Sequence, residues 1–394
     1  MEAKVLAIGA LIVLAAAAVL IFSMPNTGQA TAAQAQEPIK IGFIGSLTGG
    51  SAIDGTEQLN SLQLAVDEIN QAGGIDGRQI KLIAEDGKCD AKEAVTAANE
   101  LLNVQEARII LTECSSESLA VAPLANSKKV LQLAILTSSK DYTNAGDYSF
   151  RTTPSTDKYV KMLGEQAAAK YGAKNVAILA EQKDFPKSAA VSFKAGLEEN
   201  GGSIAIEEYF QPNETDFKTQ LEKISQSKAD SIFFASQSQA TAAIWLKAMK
   251  EKGMLGGKYR LFSGAETVTK GVFEATQGLN KSIITTDLHT DAANPKAKEF
   301  LNDYKDKYGS YPETTLAWNT TAYDGVNFIG NAIQACGKED TDCMKEYFYK
   351  NSLIDGASGK MSFDKYGDAI VEVSLHYFDM NGKEQWINIG TTAD

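Results

Sequence analysis

The sequence is poor in the residues and motifs that most enzymes and metalloproteins use. Among its 394 residues are only 2 histidines and 4 cysteines, with no CxxC pair, so no zinc site is expected. It has no GxSxG nucleophile elbow and no GxGxxG or GxxxxGK[ST] phosphate loop, which argues against a serine hydrolase and against a nucleotide enzyme. The sequence has 38 Lys and Arg residues and 50 Asp and Glu residues, which gives a net charge of −12. This charge disfavours nucleic acid and anionic membranes as partners. We expect no catalysis, no metal and no cofactor.

The composition is otherwise that of an ordinary globular protein. Hydrophobic residues make up 44% of the chain and charged residues 22%, and only 8 residues are Pro. A chain of 394 residues is too long for one compact core. We therefore expect two domains.

Residues 1–37 are predicted to lie outside the fold, as a signal or membrane anchor followed by a linker. Lys4 precedes an unbroken apolar run at 5–22, whose length is at the border between a long signal peptide and a membrane span. The polar stretch that follows suits a tether or a processing site, and Ala33, Gln34 and Ala35 would suit a signal peptidase. The length of the run favours an uncleaved anchor, and in both cases the rest of the chain is exported.

Export makes an oxidising compartment and disulfide bonds the expectation. Proximity along the chain favours pairing Cys89 with Cys114 and Cys336 with Cys343. Four cysteines permit three pairings, and four buried free thiols are the alternative.

Short β-branched segments alternate with amphipathic helical segments along two consecutive stretches of the chain. The first stretch has strand-like segments at 39–44, 80–84, 108–111 and 130–136, and the second at 176–180, 204–209, 231–235 and 259–262. This alternation predicts an α/β protein with two doubly wound parallel-sheet lobes in tandem. Ligands of such sheets bind beyond the carboxyl ends of the strands, so two facing lobes would enclose a ligand.

Residues 39–49 (IKIGFIGSLTG) and 67–77 (DEINQAGGIDG) closely resemble the opening of the leucine/isoleucine/valine-binding proteins. The spacing of Cys89 and Cys114 is also similar to the single disulfide loop of that family. The resemblance implies the type I periplasmic binding protein fold, with a three-segment hinge crossed near 153–154, 285–287 and 357–359. Lobe I would then comprise 38–154 plus 286–358, and lobe II 155–285 plus 359–394.

The same resemblance implies an extracytoplasmic solute-binding component of an ABC transporter. Its partners would be a small ligand, namely an amino acid, and the permease with its ATPase subunits. A monomer is expected because each chain encloses a complete site.

The ligand site would need one group for a carboxylate and another for an ammonium. Ser115 and Ser116 follow one predicted strand, and residues 137–139 follow the next, so these two strand ends offer hydroxyls and backbone N–H donors for a carboxylate. The residues of the second segment are Thr137, Ser138 and Ser139. Glu266 follows the strand at 259–262, where it resembles the family's ammonium-binding acid.

Four further positions are implied by the resemblance. Phe185 matches an aromatic residue that covers the ligand in relatives, and Trp318 would lie near the ligand. Gln237 and Asp54 stand where the leucine-type proteins have a tyrosine and an aromatic residue. Both substitutions point to a polar or cationic ligand side chain, although leucine is not excluded.

Each of these residues also has an ordinary structural interpretation. Ser115 and Ser116 could simply begin a helix, Phe185 could pack in the core, and Asp54 and Glu266 could be exposed loop acids. Two other functions stay open: the ligand-sensing module of a receptor, and a binding protein for small amides or organic acids. A neutral amide would give Glu266 no cation to neutralise.

Overall fold

In a computed structural model of the chain, residues 36–393 are described. The strands are β1 Ile39–Gly45, β2 Ile80–Asp86, β3 Ile109–Thr112, β4 Leu131–Ala134, β5 Ser149–Arg151, β6 Asn175–Glu181, β7 Ser203–Phe210, β8 Ser231–Ala235, β9 Arg260–Ser263, β10 Thr285–Leu288, β11 Leu353–Gly356, β12 Gly359–Met361, β13 Glu372–Phe378 and β14 Glu384–Thr391. The helices are α1 Ala52–Gln71, α2 Ala91–Asn103, α3 Ser115–Ser127, α4 Thr156–Ala169, α5 Asp184–Glu199, α6 Lys218–Gln226, α7 Gln239–Glu251, α8 Lys270–Ala275, α9 Pro295–Tyr308, α10 Leu316–Cys336 and α11 Thr341–Lys350. The predicted signal or anchor at 5–22 lies outside the described residues.

The first parallel sheet has five strands in the order β2-β1-β3-β4-β5. Its central strands β1, β3 and β4 are buried on both sides because helices cover both faces, which is the usual environment of parallel strands. On one face the sheet packs against α1 and α10, and on the other against α2 and α3. We refer to this sheet with its covering helices as lobe I.

The second parallel sheet has four strands in the order β7-β6-β8-β9. One face packs against α4 and α5, and the other against α6 and α7. Helices α4 and α5 approach closely where Gly164 meets Gly196, since a Cβ on Gly164 would come within 2.1 Å of Phe193 O. This sheet with its helices is lobe II.

The C-terminal strands complete both lobes. An isolated bridge between Phe262 and Ile284 continues the edge of lobe II into β10, which pairs antiparallel with β13 and through it with β14. Strands β11 and β12 form a small hairpin, and Met361 and Phe363 pack in the core of lobe I. The exact boundaries of the lobes and the three hinge crossings stay predictions.

The predicted fold class is confirmed. Two doubly wound parallel sheets are present, and the disulfides Cys89–Cys114 and Cys336–Cys343 both form, with Cα atoms 5.7 and 6.0 Å apart. The alternation of segments did not predict α11, and residues 285–287 lie within β10. Over residues 36–393, no helix has the length and apolarity to cross a membrane.

Candidate functional site

The carboxyl ends of the strands in the two lobes face each other, and side chains join the lobes there. The residues involved lie just after β1, β2, β3, β6 and β8, as expected for the binding edge of parallel sheets. Three of the hydrogen bonds that cross the interface are Ser116 Oγ to Asp184 Oδ2 at 2.7 Å, Lys183 Nζ to Cys89 O at 3.1 Å, and Gln239 Nε2 to Asp54 Oδ1 at 2.8 Å.

Glu266 lies in a short 3₁₀ helix, Ala265–Thr267, directly after β9. Its side chain is buried, at 8% exposure, and its Oε2 has no hydrogen-bond partner among the described residues. Burial raises the pKa of Glu266 well above its ordinary value of 4.5, and the carboxylates Asp54, Asp287 and Glu181 raise it further. An unpaired buried carboxylate of this kind is unfavourable unless a cation meets it.

The acids near Glu266 come from both lobes. Asp54 is on α1 of lobe I, whereas Glu181 ends β6 of lobe II and accepts a 2.7 Å hydrogen bond from Gln237 N. Burial, and after it Glu113, raises the pKa of Asp54 well above its ordinary value. Burial also raises the pKa of Asp287 to about 6. Burial therefore disfavours the charged form of each of these acids.

The first turn of α3 and the segment after β4 meet in lobe I. Ser115 Oγ accepts a 3.1 Å hydrogen bond from Ser139 N, which leaves the hydroxyl hydrogen of Ser115 to donate to a ligand. The N-terminal N–H groups of α3 add donors and the positive end of the helix dipole. This arrangement suits a carboxylate.

The other hydroxyls of that region have protein partners. Thr137 Oγ1 donates to Glu113 O at 2.7 Å and contacts Ser118 Oγ at 2.6 Å, so it is engaged in the core of lobe I. Ser138 hydrogen-bonds Tyr159, whose pKa is raised by burial and then by Glu266. Through Tyr159, Ser138 therefore lies close to Glu266.

Two further candidates belong to lobe II. Phe185 is 5% exposed and packs in the core of lobe II, yet its ring also lies 3.7 Å from the position a Cβ on Gly264 would take. Gln237 follows β8, its carbonyl accepts from Ser51 Oγ at 3.4 Å, and its Oε1 is buried with no partner in the described part of the chain. Both residues border the interface.

Trp318 begins α10 in lobe I and is buried. Its Nε1 donates to Asp287 Oδ1 at 3.1 Å, and Thr315 Oγ1 donates to Asp287 Oδ2 at 3.2 Å. Asp287 belongs to β10, so this pair holds the start of α10 against that strand. The indole ring is thereby held beside the acids described above.

The disulfide Cys89–Cys114 shapes the start of α3. Glu117 Oε1 accepts from Cys89 N at 2.9 Å and its Oε2 accepts from Cys114 N at 3.2 Å, so one carboxylate holds both half-cystines. Glu113 accepts a hydrogen bond from Ser46 N at 2.5 Å. Burial raises the pKa of both Glu113 and Glu117. The loop after β1 and the start of α3 are thus held together.

The start of α1 is also fixed against that loop. A Cβ on Gly55 would come within 2.2 Å of Ser46 O, so only glycine permits this close approach. Asp54, the preceding residue, is held at the interface as a result.

A comparison with protein families matches residues 38–377 to the model described as "Periplasmic binding protein". The chain belongs to the periplasmic binding protein family. Members of this family bind solutes and are not enzymes, and this binding protein is of the type that serves ABC transporters.

Individual relatives are distant but cover nearly the whole chain. A leucine-, isoleucine-, valine-, threonine- and alanine-binding protein of Pseudomonas aeruginosa is 24% identical over 89% of this chain and 92% of its own. A branched-chain amino acid transporter substrate-binding protein of Streptococcus pneumoniae, solved with isoleucine, is 27% identical with a TM-score of 0.79, covering 90% and 99%. A solute-binding protein of R. palustris, solved with 4-hydroxybenzoate, is 23% identical with a TM-score of 0.81, covering 90% and 97%.

The binding protein brings most of the predicted site residues to one interface, although their roles as ligand contacts stay predictions. The sequence interpretation missed several polar residues that share the interface. These are Gln58, Tyr159, Gln239 and Asp287. Gln58 could have been found from its spacing, because it lies four residues after Asp54 on a helix and shares its face. The other three carried no comparable signal.

Two cavities lie near the interface. One of about 200 Å³ opens between the loop after β1 and lobe II, and Ser51, Lys88, Glu181 and Gln237 are among the residues that line it. Another, of about 410 Å³, lies beside β10 and β12 and is lined by none of the predicted ligand residues. The smaller cavity is therefore the one that borders the candidate site.

Proposed function

We propose that this protein captures a free amino acid between its two lobes and delivers it to an ABC transporter. The observation that carries the proposal is Glu266, a buried carboxylate whose Oε2 lacks a partner among the described residues. An α-ammonium group would supply that partner with a charge-assisted hydrogen bond. Ser115, with its hydroxyl hydrogen available at the start of α3, supports binding of the α-carboxylate.

Capture proceeds by closure of the lobes. The ligand carboxylate first binds lobe I at Ser115, and lobe II then swings in with Glu266 and excludes water. The hydrogen bonds from Ser116 to Asp184 and from Lys183 to Cys89 O form only when the lobes meet. A ligand that contacts both lobes stabilises the closed form, and no covalent bond is made or broken.

Delivery follows from the same closure. A permease that binds the closed form more tightly than the open form receives loaded protein preferentially, by a shift of population. We propose that the protein is exported, that its apolar N-terminal run either anchors it or is removed, and that it acts as a monomer with a permease and ATPase subunits.

The test is calorimetric titration of the oxidised protein with the twenty amino acids, small amides and aromatic or aliphatic carboxylates. We expect an amino acid to bind with nanomolar to micromolar affinity. Glu266→Gln should weaken that binding about 10- to 150-fold, the value of one hydrogen bond to a charged group. Glu339→Gln is the matched control, because Glu339 pairs with Arg78 at 2.6 Å, away from the candidate ligand residues.

Two outcomes would contradict the proposal. Binding of neutral amides alone, unaffected by Glu266→Gln, would make the protein an amide-binding member of the family. Binding only of 4-hydroxybenzoate or another organic acid without an amine would also contradict the proposal, because such a ligand leaves Glu266 unpaired.

A further inference from the structure

The start of α1 carries a row of buried polar side chains that faces the interface and the start of α10. Asp54 is 3% exposed, and Gln58, one helical turn later, is fully buried. In the next turn Ser61 Oγ donates to Asn319 Oδ1 at 2.9 Å, which places this face of α1 against the residue that follows Trp318. Gln58 therefore lies between the interface and the predicted ligand contact on α10.

Asp54 and Gln58 are both incompletely satisfied. Gln239 Nε2 binds only Oδ1 of Asp54, so Oδ2 keeps its capacity to accept a hydrogen bond. Gln58 has no partner for either Oε1 or Nε2 within residues 36–393. Buried amides and carboxylates normally have their hydrogen bonds completed, so leaving these two open is unfavourable.

Gln239 is oriented by a second contact. Its Oε1 accepts from Thr269 Oγ1 at 2.6 Å, which fixes the amide with its NH₂ group directed at Asp54. The chain Asp54, Gln239, Thr269 thus spans from lobe I to lobe II and holds the Asp54 carboxylate in one position as the lobes meet.

We infer that Asp54 and Gln58 form a second recognition point, which takes the cationic end of a basic amino acid such as lysine, ornithine or arginine. The inference rests on the proposed function, with the α-ammonium at Glu266 and the α-carboxylate at Ser115. The cationic group of the ligand donates hydrogen bonds to Asp54 Oδ2 and to Gln58 Oε1. It also places a positive charge beside Asp54, which forms no ion pair with a Lys or Arg among the described residues.

The charge around this point agrees with a cationic side chain. Glu113 and Glu57 both raise the pKa of Asp54 after burial does, and Asp54 in turn raises the pKa of Glu266. A leucine side chain would place methyl groups against these acids and leave Asp54 and Gln58 unpaired. We therefore expect the ligand of this protein to differ from the aliphatic amino acids that some relatives bind.

The experiment compares L-lysine with L-norleucine, which has the same carbon chain without the terminal ammonium, by calorimetric titration. In the unmodified protein lysine should bind at least about tenfold more tightly than norleucine or leucine. Asp54→Asn, which keeps the shape of the side chain, should reduce that ratio to about threefold or less. Ser116→Ala is the control: it removes the hydrogen bond to Asp184 across the interface without contacting Asp54, so it should weaken both ligands equally.

Gln58→Met and proton release give independent measurements that do not require Asp54→Asn to fold. Gln58→Met removes an unsatisfied amide, so it should raise the Tm of the free protein yet weaken lysine binding more than norleucine binding. Titrations at a pH between the ordinary and the raised pKa of Asp54, in buffers of different ionisation enthalpy, should show more protons released by lysine than by norleucine, because burial keeps that pKa raised until a cation binds.

The outcomes separate this inference from the proposed function. If leucine, norleucine or glutamine binds as tightly as lysine, and Asp54→Asn does not change the ratio of their affinities, the protein still binds amino acids but the second recognition point is wrong. If no free amino acid binds, both fail together. A preference for basic amino acids that is lost in Asp54→Asn, together with the extra proton release, supports both the proposed function and this inference.

Discussion

Replacing Glu266 with Gln should change how the stability of the free protein depends on pH. Burial, and after it Asp54 and Asp287, raises the pKa of Glu266 well above 4.5 in the folded protein. The folded state therefore keeps a proton that the unfolded state releases above about pH 4.5. The stability of the unmodified protein should accordingly fall as pH rises, by up to about 1.4 kcal/mol per pH unit from this one group.

The size of the effect follows from that slope. Between pH 5 and pH 7 the unmodified protein should lose stability relative to Glu266→Gln, which has no proton to release, by up to about 3 kcal/mol. A folded unit of this size has an unfolding entropy that makes 1 kcal/mol equal to roughly 1 °C in Tm. Scanning calorimetry should therefore find the Tm advantage of Glu266→Gln growing with pH over this range, by up to about 3 °C.

Glu339→Gln serves as a control of opposite sign. Burial opposes ionisation of Glu339, but the hydrogen bond and charge of Arg78 outweigh it and lower its pKa below 4.5. Its contribution is present above pH 4.5 and is lost as pH falls through the lowered pKa, so this variant should be the less stable protein at pH 7. A Tm difference between Glu266→Gln and the unmodified protein that stays constant from pH 5 to 7 would refute the reasoning.

Three further changes test other parts of the molecule. Ser116→Ala removes the 2.7 Å bond to Asp184 across the interface and should weaken every ligand about 2- to 10-fold in calorimetry; an effect on one ligand class only would contradict a role in closure. Cys336→Ser with Cys343→Ser opens a disulfide that spans 7 residues and should cost about 2.4 kcal/mol in urea unfolding with ligand affinity unchanged; equal unfolding free energies would contradict this. The stability of Asp287→Asn relative to the unmodified protein should rise by roughly 3 kcal/mol between about pH 4 and pH 6, because burial raises the pKa of Asp287 from 3.8 to about 6. A stability difference that does not change with pH would contradict this.

Much of the fold and part of the site could be predicted from local sequence patterns. Strand-like and helical segments alternate along the chain, and each segment buries its own apolar face, so two parallel α/β units follow from periodicity alone. Ser115 and Glu266 could be placed at strand ends for the same reason, because position along a segment decides which end of a sheet a residue occupies.

The hydroxyl partners after β4 could not be predicted in this way. Thr137, Ser138 and Ser139 are alike in sequence, yet Thr137 bonds within lobe I, Ser138 reaches Tyr159, and Ser139 N meets Ser115. The difference comes from the direction of each side chain in a short irregular segment, which composition does not encode.

What the sequence determined by itself is therefore the two-lobed architecture and the polar character of the strand ends, whereas for the disulfide pairs it gave a preference that the structure confirms. The tertiary structure alone decided which polar groups meet across the lobes. Asp54 and Gln239 are 185 residues apart, and their bond depends on how the lobes close. Local periodicity reports a residue's neighbours within one element, whereas a pair across two lobes depends on the packing of every element between them. The unpaired amide of Gln58 emerges only from that packing, for the same reason.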